Sequence, residues 1–532
     1  MQQLLLLGDE AIAQGAIDAG LSGIYAYPGT PSTEIMEYVQ HNEVALSRKI
    51  HSKWSANEKT AMESAIGMSY AGKRAIVCMK HVGLNVAADG FVNAAVTGAN
   101  GGLIVVAADD PSMHSSQNEQ DSRFYGKFAM IPIFEPANQQ EAYEMTYNGF
   151  KFSEKYGFPI LLRLTTRLAH SRAGVGQSSL QNENILALPQ DKRQFVLLPS
   201  IARKRFKTLL ETQAKFEEES ENSPYNEYFD AKDKSLGIIA CGIAYNYLME
   251  NFPNGCPYPV LKIGQHPLPR KKIERLANEC KEILVLEDGF PFVEEQLKGF
   301  FEKFKIKGRL DGTLSRDGEL NPNKVAVALG FVQVLGKPIP EVVQGRPPMF
   351  CAGCGHIDVY NALKETLKEY GDGHVFSDIG CYTLGALPPF EVVNSCVDMG
   401  ASITMAKGAA DAGLHPAVAV IGDSTFIHSG ITGLLDTVIE KTSITVIISD
   451  NSTTGMTGGQ DSHAVGRLVD ICKGLGVEPE HIRTIVPLKK NHEEMVRIMK
   501  EEFEYKGVSV IIPQRECIQT AGRKAREKSK KD

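Results

Sequence analysis

Asp423 and Asn451 each stand just past a short apolar run, Ala417–Ile421 leading into Gly422-Asp423-Ser424-Thr425 and Ile444–Ile448 leading into Asp450-Asn451. Two buried parallel strands ending side by side would bring an Asp carboxylate and an Asn amide oxygen together at the carboxyl edge of a doubly wound sheet. Hard oxygen donors of this kind suit Mg²⁺, which is usually shared with a substrate's phosphates. Gly422 lets the backbone approach a phosphate closely, and Gly455, Gly458 and Gly459 follow just beyond Asn451. Ordinary strand-end turns use the same residue types, so either segment alone also reads as a turn.

A second constellation is built of sulfur. Cys351-Ala352-Gly353-Cys354, Cys381 after Gly380, and Cys517 past the apolar run Val508–Ile512 offer four thiols from loop-like positions. A Cys-x-x-Cys can hold zinc, be redox active or be accidental, and four cysteines are also the usual complement of a [4Fe-4S] cluster. Cys78, Cys241, Cys256, Cys280, Cys396 and Cys472 read as small buried hydrophobes or surface thiols.

The elements that must carry these groups alternate short apolar runs with helical stretches. Leu4–Leu7, Gly23–Tyr27, Ala75–Met79, Leu103–Ala107 and Pro159–Arg163 punctuate a first α/β domain over 1–170. Residues 171–235 lose apolar periodicity and gain charge, as in Lys215-Phe216-Glu217-Glu218-Glu219, which predicts a linker with an exposed helical segment. Leu236–Cys241, Val260–Ile263 and Ile283–Leu286 predict a smaller α/β domain over 236–336. A proline-marked linker follows, Lys337-Pro338-Ile339-Pro340 and Arg346-Pro347-Pro348, and then a third α/β domain over 345–532.

Composition narrows the function. A chain of 532 residues, 43% hydrophobic and 23% charged, exceeds what a single core supports and is that of an ordinary soluble protein. No apolar run reaches membrane-spanning length and Met1-Gln2-Gln3-Leu4 lacks a secretory pattern, so no membrane association and a cytoplasmic location are expected. A formal net charge of −7 gives no footprint for nucleic acid. The basic tail Arg523–Lys531 reads as a solvated terminus or a weak docking patch for an acidic electron carrier. Ten cysteines in a large cytoplasmic chain point away from a disulfide framework.

Taken together, the GDS and DN segments resemble the metal and diphosphate motif of thiamine-diphosphate enzymes. The wider pattern resembles the 2-oxoacid:ferredoxin oxidoreductases, most closely the alpha subunits of the indolepyruvate type. It is carried by Tyr27-Pro28-Gly29-Thr30-Pro31-Ser32, Asn57-Glu58-Lys59, Met79-Lys80-His81-Val82-Gly83-Leu84-Asn85 and Ser115-Ser116-Gln117-Asn118-Glu119-Gln120-Asp121. Cys351-Ala352-Gly353-Cys354-Gly355-His356 and Asp378-Ile379-Gly380-Cys381-Tyr382-Thr383-Leu384-Gly385 extend it into the third domain. The resemblance implies three doubly wound α/β domains. Two have the thiamine-diphosphate-binding fold, pyrimidine-binding first and diphosphate-binding last, and a transketolase-C-terminal-like domain lies between them.

By that resemblance Glu58 hydrogen-bonds the cofactor's aminopyrimidine, and Thr30, otherwise a turn residue before Pro31, contacts the substrate carboxylate. Gly422, Asp423, Ser424, Asn451, Thr453, Gly455 and Met456 line the cofactor. Asp423, Asn451 and the Thr453 carbonyl bind Mg²⁺, and Cys351, Cys354, Cys381 and Cys517 bind a [4Fe-4S] cluster. The implied reaction is oxidative decarboxylation of an arylpyruvate to an aryl-acetyl-CoA and CO₂, with electrons passing to ferredoxin or a similar carrier. A smaller beta subunit and a dimer of alpha–beta pairs are implied with it. Alternatives are a thiamine-diphosphate decarboxylase without net electron transfer, and a non-catalytic iron–sulfur subunit or redox sensor.

Two departures qualify the match. Met456 replaces an asparagine of the pyruvate enzymes, and their substrate-binding arginine is not apparent in Ala108-Asp109-Asp110-Pro111. A softer, more apolar pocket suits an aryl side chain, with Lys80 or His81 offering a cationic partner for the carboxylate. The sequence also shows no ferredoxin-like segment rich in Cys-x-x-Cys after Cys517, so electrons are expected to leave the single cluster directly or through a separate protein.

Overall fold

The computed structural model describes residues 3–191, 193–300, 305–315, 318–332, 336, 338–343, 345, 349–396 and 399–528. It divides into two compact units, residues 1–337 and 338–532. Lys337, Arg346, Pro347 and Pro348 of the expected proline-marked linker lie outside the described residues, as do the last residues of the basic tail. Among the described residues, no helix is long and apolar enough to cross a membrane.

The first unit is organised by a seven-stranded sheet. Its parallel strands run in the order Ile133–Phe134, Ile160–Thr165, Leu103–Asp109, Ala75–Lys80, Gly23–Ala26 and His51–Trp54. Ala75–Lys80, Leu103–Asp109 and Ile160–Thr165 are buried along their whole length, which is why they read as unbroken apolar runs rather than as alternations. The loops at their carboxyl ends carry the motifs: Tyr27–Ser32 after Gly23–Ala26, Ser55–Asn57 after His51–Trp54, Lys80-His81 itself, and Asp110–Asp121 after Leu103–Asp109.

A five-stranded sheet completes this unit, with Gly237–Cys241, Val260–Ile263, Ile283–Leu286 and Ile306–Lys307 parallel and Tyr228–Phe229 antiparallel at one edge. Directly after Val260–Ile263 the chain crosses over. Gln265–His266 pairs antiparallel with Ile133–Phe134 and becomes the seventh strand of the first sheet.

Two segments differ from the sequence reading. Leu4–Leu7 does form a strand, Gln3–Leu7, but it pairs antiparallel with Arg172–Gly176 in a separate two-stranded sheet. Residues 171–235 are more than an exposed linker. They supply Arg172–Gly176 and a helix, Pro199–Asn222, whose Leu209 and Phe216 bury against Phe158. A spacing of seven residues puts both on one helix face, which a window dominated by the glutamates around them conceals.

The second unit is built on a six-stranded parallel sheet in the order Ser395–Cys396, Val375–Ser377, Val418–Gly422, Ile444–Ser449, Val508–Pro513 and Ile482–Ile485, with a short antiparallel pair, Thr453–Thr454 and Gln460–Asp461, beside it in the chain. Helices cover it on both sides of the two apolar layers around Leu363, Val420 and Met499, and around Ile403, Ile421 and Ile448.

Candidate functional site

Four neighbouring strands of the second unit end in the residues singled out by chemistry. Val375–Ser377 runs into Asp378–Cys381, Val418–Gly422 into Asp423, Ile444–Ser449 into Asp450-Asn451, and Val508–Pro513 into the turn that reaches Cys517. The register pairs Gly422 with Ser449, so Asp423 and the Asp450-Asn451 turn emerge side by side. The juxtaposition drawn from the spacing of GDS and DN is therefore present in the sheet.

Asp423 is 2% exposed, and its Oδ2 is buried without a hydrogen-bond partner. Burial, with Asp450 adding to it, pushes its carboxyl up to about 7. An orphaned carboxylate oxygen in such a place is costly unless a cation meets it. The Asn451 Oδ1 accepts from the Thr453 backbone N–H at 3.1 Å, which folds the turn back so that Thr453 follows closely. Thr454 Oγ1 donates to Ser424 Oγ at 3.0 Å and ties the two loops together. The donor set of carboxylate, amide oxygen and backbone carbonyl fits Mg²⁺. Met456 is 65% exposed.

Gly422 has a different local reason from the one its sequence context gives. A Cβ there would lie 2.5 Å from Cε1 of Tyr382, and one on Gly380 would lie 2.4 Å from the same atom. The Tyr382 ring thus occupies the space that two glycines leave, and its hydroxyl donates to the Ile379 carbonyl at 2.8 Å and meets Thr425 Oγ1 at 2.9 Å. Asp378 receives backbone N–H groups of Gly400 and Ser402 and so anchors the start of the helix Ala401–Asp411. Neither role was read from sequence. No local signal carried either, because Gly422 is remote from Tyr382 in the chain.

The glycine loop after Asn451 is held from outside. Gly458 and Gly459 have left-handed backbones at φ 117° and 86°. Their carbonyls accept from Arg523 Nη1 at 2.8 Å and Nη2 at 3.0 Å. Arg523 lies on the helix Ile518–Lys528, so the described part of the basic tail is not simply solvated.

All four chosen cysteines line one cleft, together with Asn451 and Gly455. Cys354 immediately precedes the helix Gly355–Thr366 and Cys517 immediately precedes Ile518–Lys528. Burial raises the Cys354 thiol and pushes Cys381 up to about 11, with the neighbouring thiols adding to both. Helix N-termini favour the thiolate and oppose that effect. Gln519 Nε2 donates to Cys351 Sγ at 3.4 Å. The loop after Asn451 adjoins this cleft: the Cys517 N–H donates to the Asn451 carbonyl at 3.1 Å, and a Cβ on Gly455 would lie 3.4 Å from Cys381 Sγ and 3.9 Å from Asn451 Nδ2.

The spacing of the sulfurs bears on which metal fits. Zinc bound at about 2.3 Å by four thiolates draws their sulfurs to within roughly 4 Å of one another. Among the described residues, no three cysteine sulfurs lie within 4.8 Å of one another. All ten cysteines are free.

In the first unit, Asn57 caps the helix Glu58–Tyr70 by accepting from the Thr60 N–H at 2.8 Å, which sets Glu58 in the first turn. Glu58 is 6% exposed, and its carboxyl lies against Gly83 of the helix His81–Thr97 so tightly that a Cβ there would stand 2.6 Å from Oε1. Lys80 donates to the Ser115 carbonyl at 2.5 Å, and Ser115 Oγ reaches the Thr30 carbonyl at 3.4 Å. Burial lowers the Lys80 ammonium to about 8, with Asp110 opposing. His81 Nε2 bonds the Asn118 carbonyl at 3.2 Å, and its Nδ1 is buried without a partner. Thr30, Lys80 and Ser115 thus share one corner of the sheet edge.

Asp109 and Asp110 have separate tasks. Asp110 accepts from Ser116 Oγ at 2.6 Å and Thr166 Oγ1 at 2.7 Å, pinning the loop. Asp109 belongs to a buried charge network that sequence reasoning missed. Arg163 bonds Asp109 and Glu135, each at 2.6 Å, while Arg123 bonds Asp121 Oδ1 at 2.8 Å and meets Glu287 at 3.1 Å.

Comparison with known proteins follows this geometry. Residues 14–226 match the model described as pyruvate flavodoxin/ferredoxin oxidoreductase, thiamine diphosphate-binding, and residues 378–512 match that of the thiamine pyrophosphate enzyme C-terminal TPP-binding domain. The chain is 39% identical to indolepyruvate oxidoreductase subunit IorA of Archaeoglobus fulgidus, over 99% of its own length and 89% of the relative's. It is 36% identical to the subunit of the same name from Pyrococcus abyssi, over 97% and 86%. A solved 2-oxoglutarate:ferredoxin oxidoreductase from Magnetococcus marinus aligns at TM-score 0.46 and 18% identity, over 57% of this chain and 62% of that one.

Proposed function

Because the chain belongs to the family of indolepyruvate oxidoreductase subunit IorA, among the thiamine-diphosphate-dependent 2-oxoacid:ferredoxin oxidoreductases, we propose that it oxidatively decarboxylates arylpyruvates. The products are an aryl-acetyl-CoA and CO₂, and the electrons leave through a [4Fe-4S] cluster for ferredoxin or a similar carrier. A smaller beta subunit completes the enzyme, as a dimer of alpha–beta pairs. The observation that carries this reading is the shared edge of the second sheet, where Asp423 with its unpartnered Oδ2, the Asn451 turn and the four-cysteine cleft adjoin.

Thiamine diphosphate, when bound, supplies the nucleophilic carbon that attacks a 2-oxo carbonyl and accepts the electron pair freed by loss of CO₂. Glu58 would hydrogen-bond the aminopyrimidine from a buried position that keeps water from competing for it. Asp423, Asn451 and the Thr453 carbonyl hold the Mg²⁺ that anchors the diphosphate, with Gly422, Ser424, Gly455 and Met456 around it. Cys351, Cys354, Cys381 and Cys517 hold the cluster, and the Gln519 N–H at Cys351 raises its potential by favouring the reduced state. Lys80 neutralises the substrate carboxylate and Thr30 orients it. Their common tie to Ser115 keeps both in place.

The test uses the full chain co-expressed with its smaller subunit, assayed anaerobically with indolepyruvate, coenzyme A and Mg²⁺. The expected result is keto-acid-dependent bleaching of an iron–sulfur band and reduction of a viologen dye. Cys351→Ser should abolish dye reduction while thiamine diphosphate still binds. Full dye reduction by that variant would sink the cluster assignment, and aldehyde release at an undiminished rate would favour the non-oxidative decarboxylase.

A further inference from the structure

Away from the sites described so far, three metal-ligating side chains converge in the first unit. Asp9 on the helix Gly8–Asp18, Glu34 on the helix Thr33–His41 and His170, just past the turn Thr166–Ala169, each place a ligand atom within 4.8 Å of the others. Asp9 is fully buried at 0% exposure, yet both of its carboxylate oxygens lack a hydrogen-bond partner, as does Glu34 Oε2. His170 Nε2 stands 3.7 Å from Glu34 Oε1, and both of those side chains are 36% exposed. The group therefore has a dry floor and an open mouth.

Two buried oxygens of one carboxylate left unsatisfied are destabilising. A proton shared between Asp9 and Glu34 satisfies one Asp9 oxygen and leaves the other orphaned. The His170 ring sits on the Glu34 side of the pair and satisfies neither. A cation facing both Asp9 oxygens removes the whole penalty at once.

We propose that Asp9, Glu34 and His170 form a binding site for a divalent transition-metal ion, which crosslinks the starts of two helices to the end of a third element. Two carboxylates and one imidazole are a donor set for Zn²⁺, Mn²⁺ or Fe²⁺ rather than for Ca²⁺. Ligands sharing one such ion stand about 3 to 3.5 Å apart, so a shift of roughly an ångström per side chain closes the group. Glu34 also lines a groove with Glu10, Glu37, Tyr38, His41 and Glu43. Its carboxylates concentrate cations at the mouth.

The site has a structural bearing on the Thr30 corner. Thr33, next to Glu34, accepts through its Oγ1 from the Gly29 N–H at 3.1 Å, and Thr166, four residues before His170, bonds Asp110. An ion at this point fixes the helix from which the Thr30 loop hangs.

The test is a Mn²⁺ titration of the full chain, stripped of metal by chelation and followed by electron paramagnetic resonance. Mn²⁺ is chosen because thiolates bind it weakly, so the cysteine cleft stays silent. Wild type should bind one Mn²⁺ more per chain than His170→Gln or Asp9→Asn, with nitrogen modulation of the extra signal that is absent in His170→Gln. Zn²⁺ should displace that ion. The Asp423 site is common to all three proteins and cancels in the difference. Equal stoichiometry in wild type and His170→Gln, or an extra signal without nitrogen coupling, overturns the proposal. His170 is solvent-accessible, so its variant tests the site even where Asp9→Asn misfolds.

Discussion

Gly83→Ala isolates what the packing around Glu58 contributes to turnover. The added Cβ would stand 2.6 Å from Glu58 Oε1, 2.7 Å from Cγ and 2.9 Å from Cδ. Restoring ordinary contact moves the carboxyl by about 0.8 Å, from 2.6 to 3.4 Å, and a buried side chain can yield only by swinging as a whole. A misplacement near an ångström costs roughly 100-fold in rate, or about 2.7 kcal/mol. Stability moves much less, because the gain of about 1 kcal/mol from Gly to Ala in a helix offsets an overpacking cost of about 1–3 kcal/mol. The assay is viologen reduction with indolepyruvate, alongside thermal melting and thiamine diphosphate affinity. Turnover should fall 10- to 100-fold at nearly constant melting temperature and cofactor affinity. Gly90→Ala on the same helix is the control, since its Cβ would come no nearer than 3.3 Å to the flexible Met62 side chain and 3.9 Å to Ile66 Cδ1. If Gly83→Ala turned over within about twofold of wild type, the placement of Glu58 would not be what limits the reaction.

Three further outcomes follow from the same structure. With the Lys80 ammonium lowered to about 8 by burial, kcat/KM for an arylpyruvate should fall about tenfold per pH unit above that value, and Lys80→Met should remove the dependence. A depressed lysine binds fewer protons folded than unfolded between about 8 and 10.5, so its contribution to stability rises with pH across that window; a melting profile that falls there in wild type and not in Lys80→Met contradicts the sign. Arg523→Ala removes two hydrogen bonds to the Gly458 and Gly459 carbonyls and should weaken thiamine diphosphate binding by about 5- to 30-fold, from roughly 1–2 kcal/mol; unchanged affinity by calorimetry would show that the glycine loop orders itself.

The parts of the site legible in the sequence are those set by local pattern. Val418–Gly422 and Ile444–Ser449 show as apolar runs because both faces of a parallel sheet are covered, and their last residues then fall at one edge. Cys351 and Cys354 declare themselves by spacing. What stayed hidden depends on partners far apart in the chain. Arg163 meets Asp109 and Glu135, and Arg123 meets Glu287, across separations no window spans. Read locally, Asp109 marked only the place of a missing arginine. Gln3–Leu7 was legible as a strand, but its partner Arg172–Gly176 lies at the other end of the domain, so its sheet was not.

The crossover at Gly264 has a consequence for how this part of the chain behaves as a module. Gln265 and His266 leave the five-stranded sheet and lengthen the seven-stranded one, while Asn226 Oδ1 receives the Gly264 and Gln265 N–H groups, each at 2.9 Å. Glu287 of the smaller sheet also compensates Arg123 of the larger. Neither sheet can open while the other stays shut without breaking main-chain pairs and stranding a buried charge. Amides of both should therefore exchange with solvent in one event. The family model matched over 14–226 ends inside this foldon, so the edge of that match is not a boundary of folding.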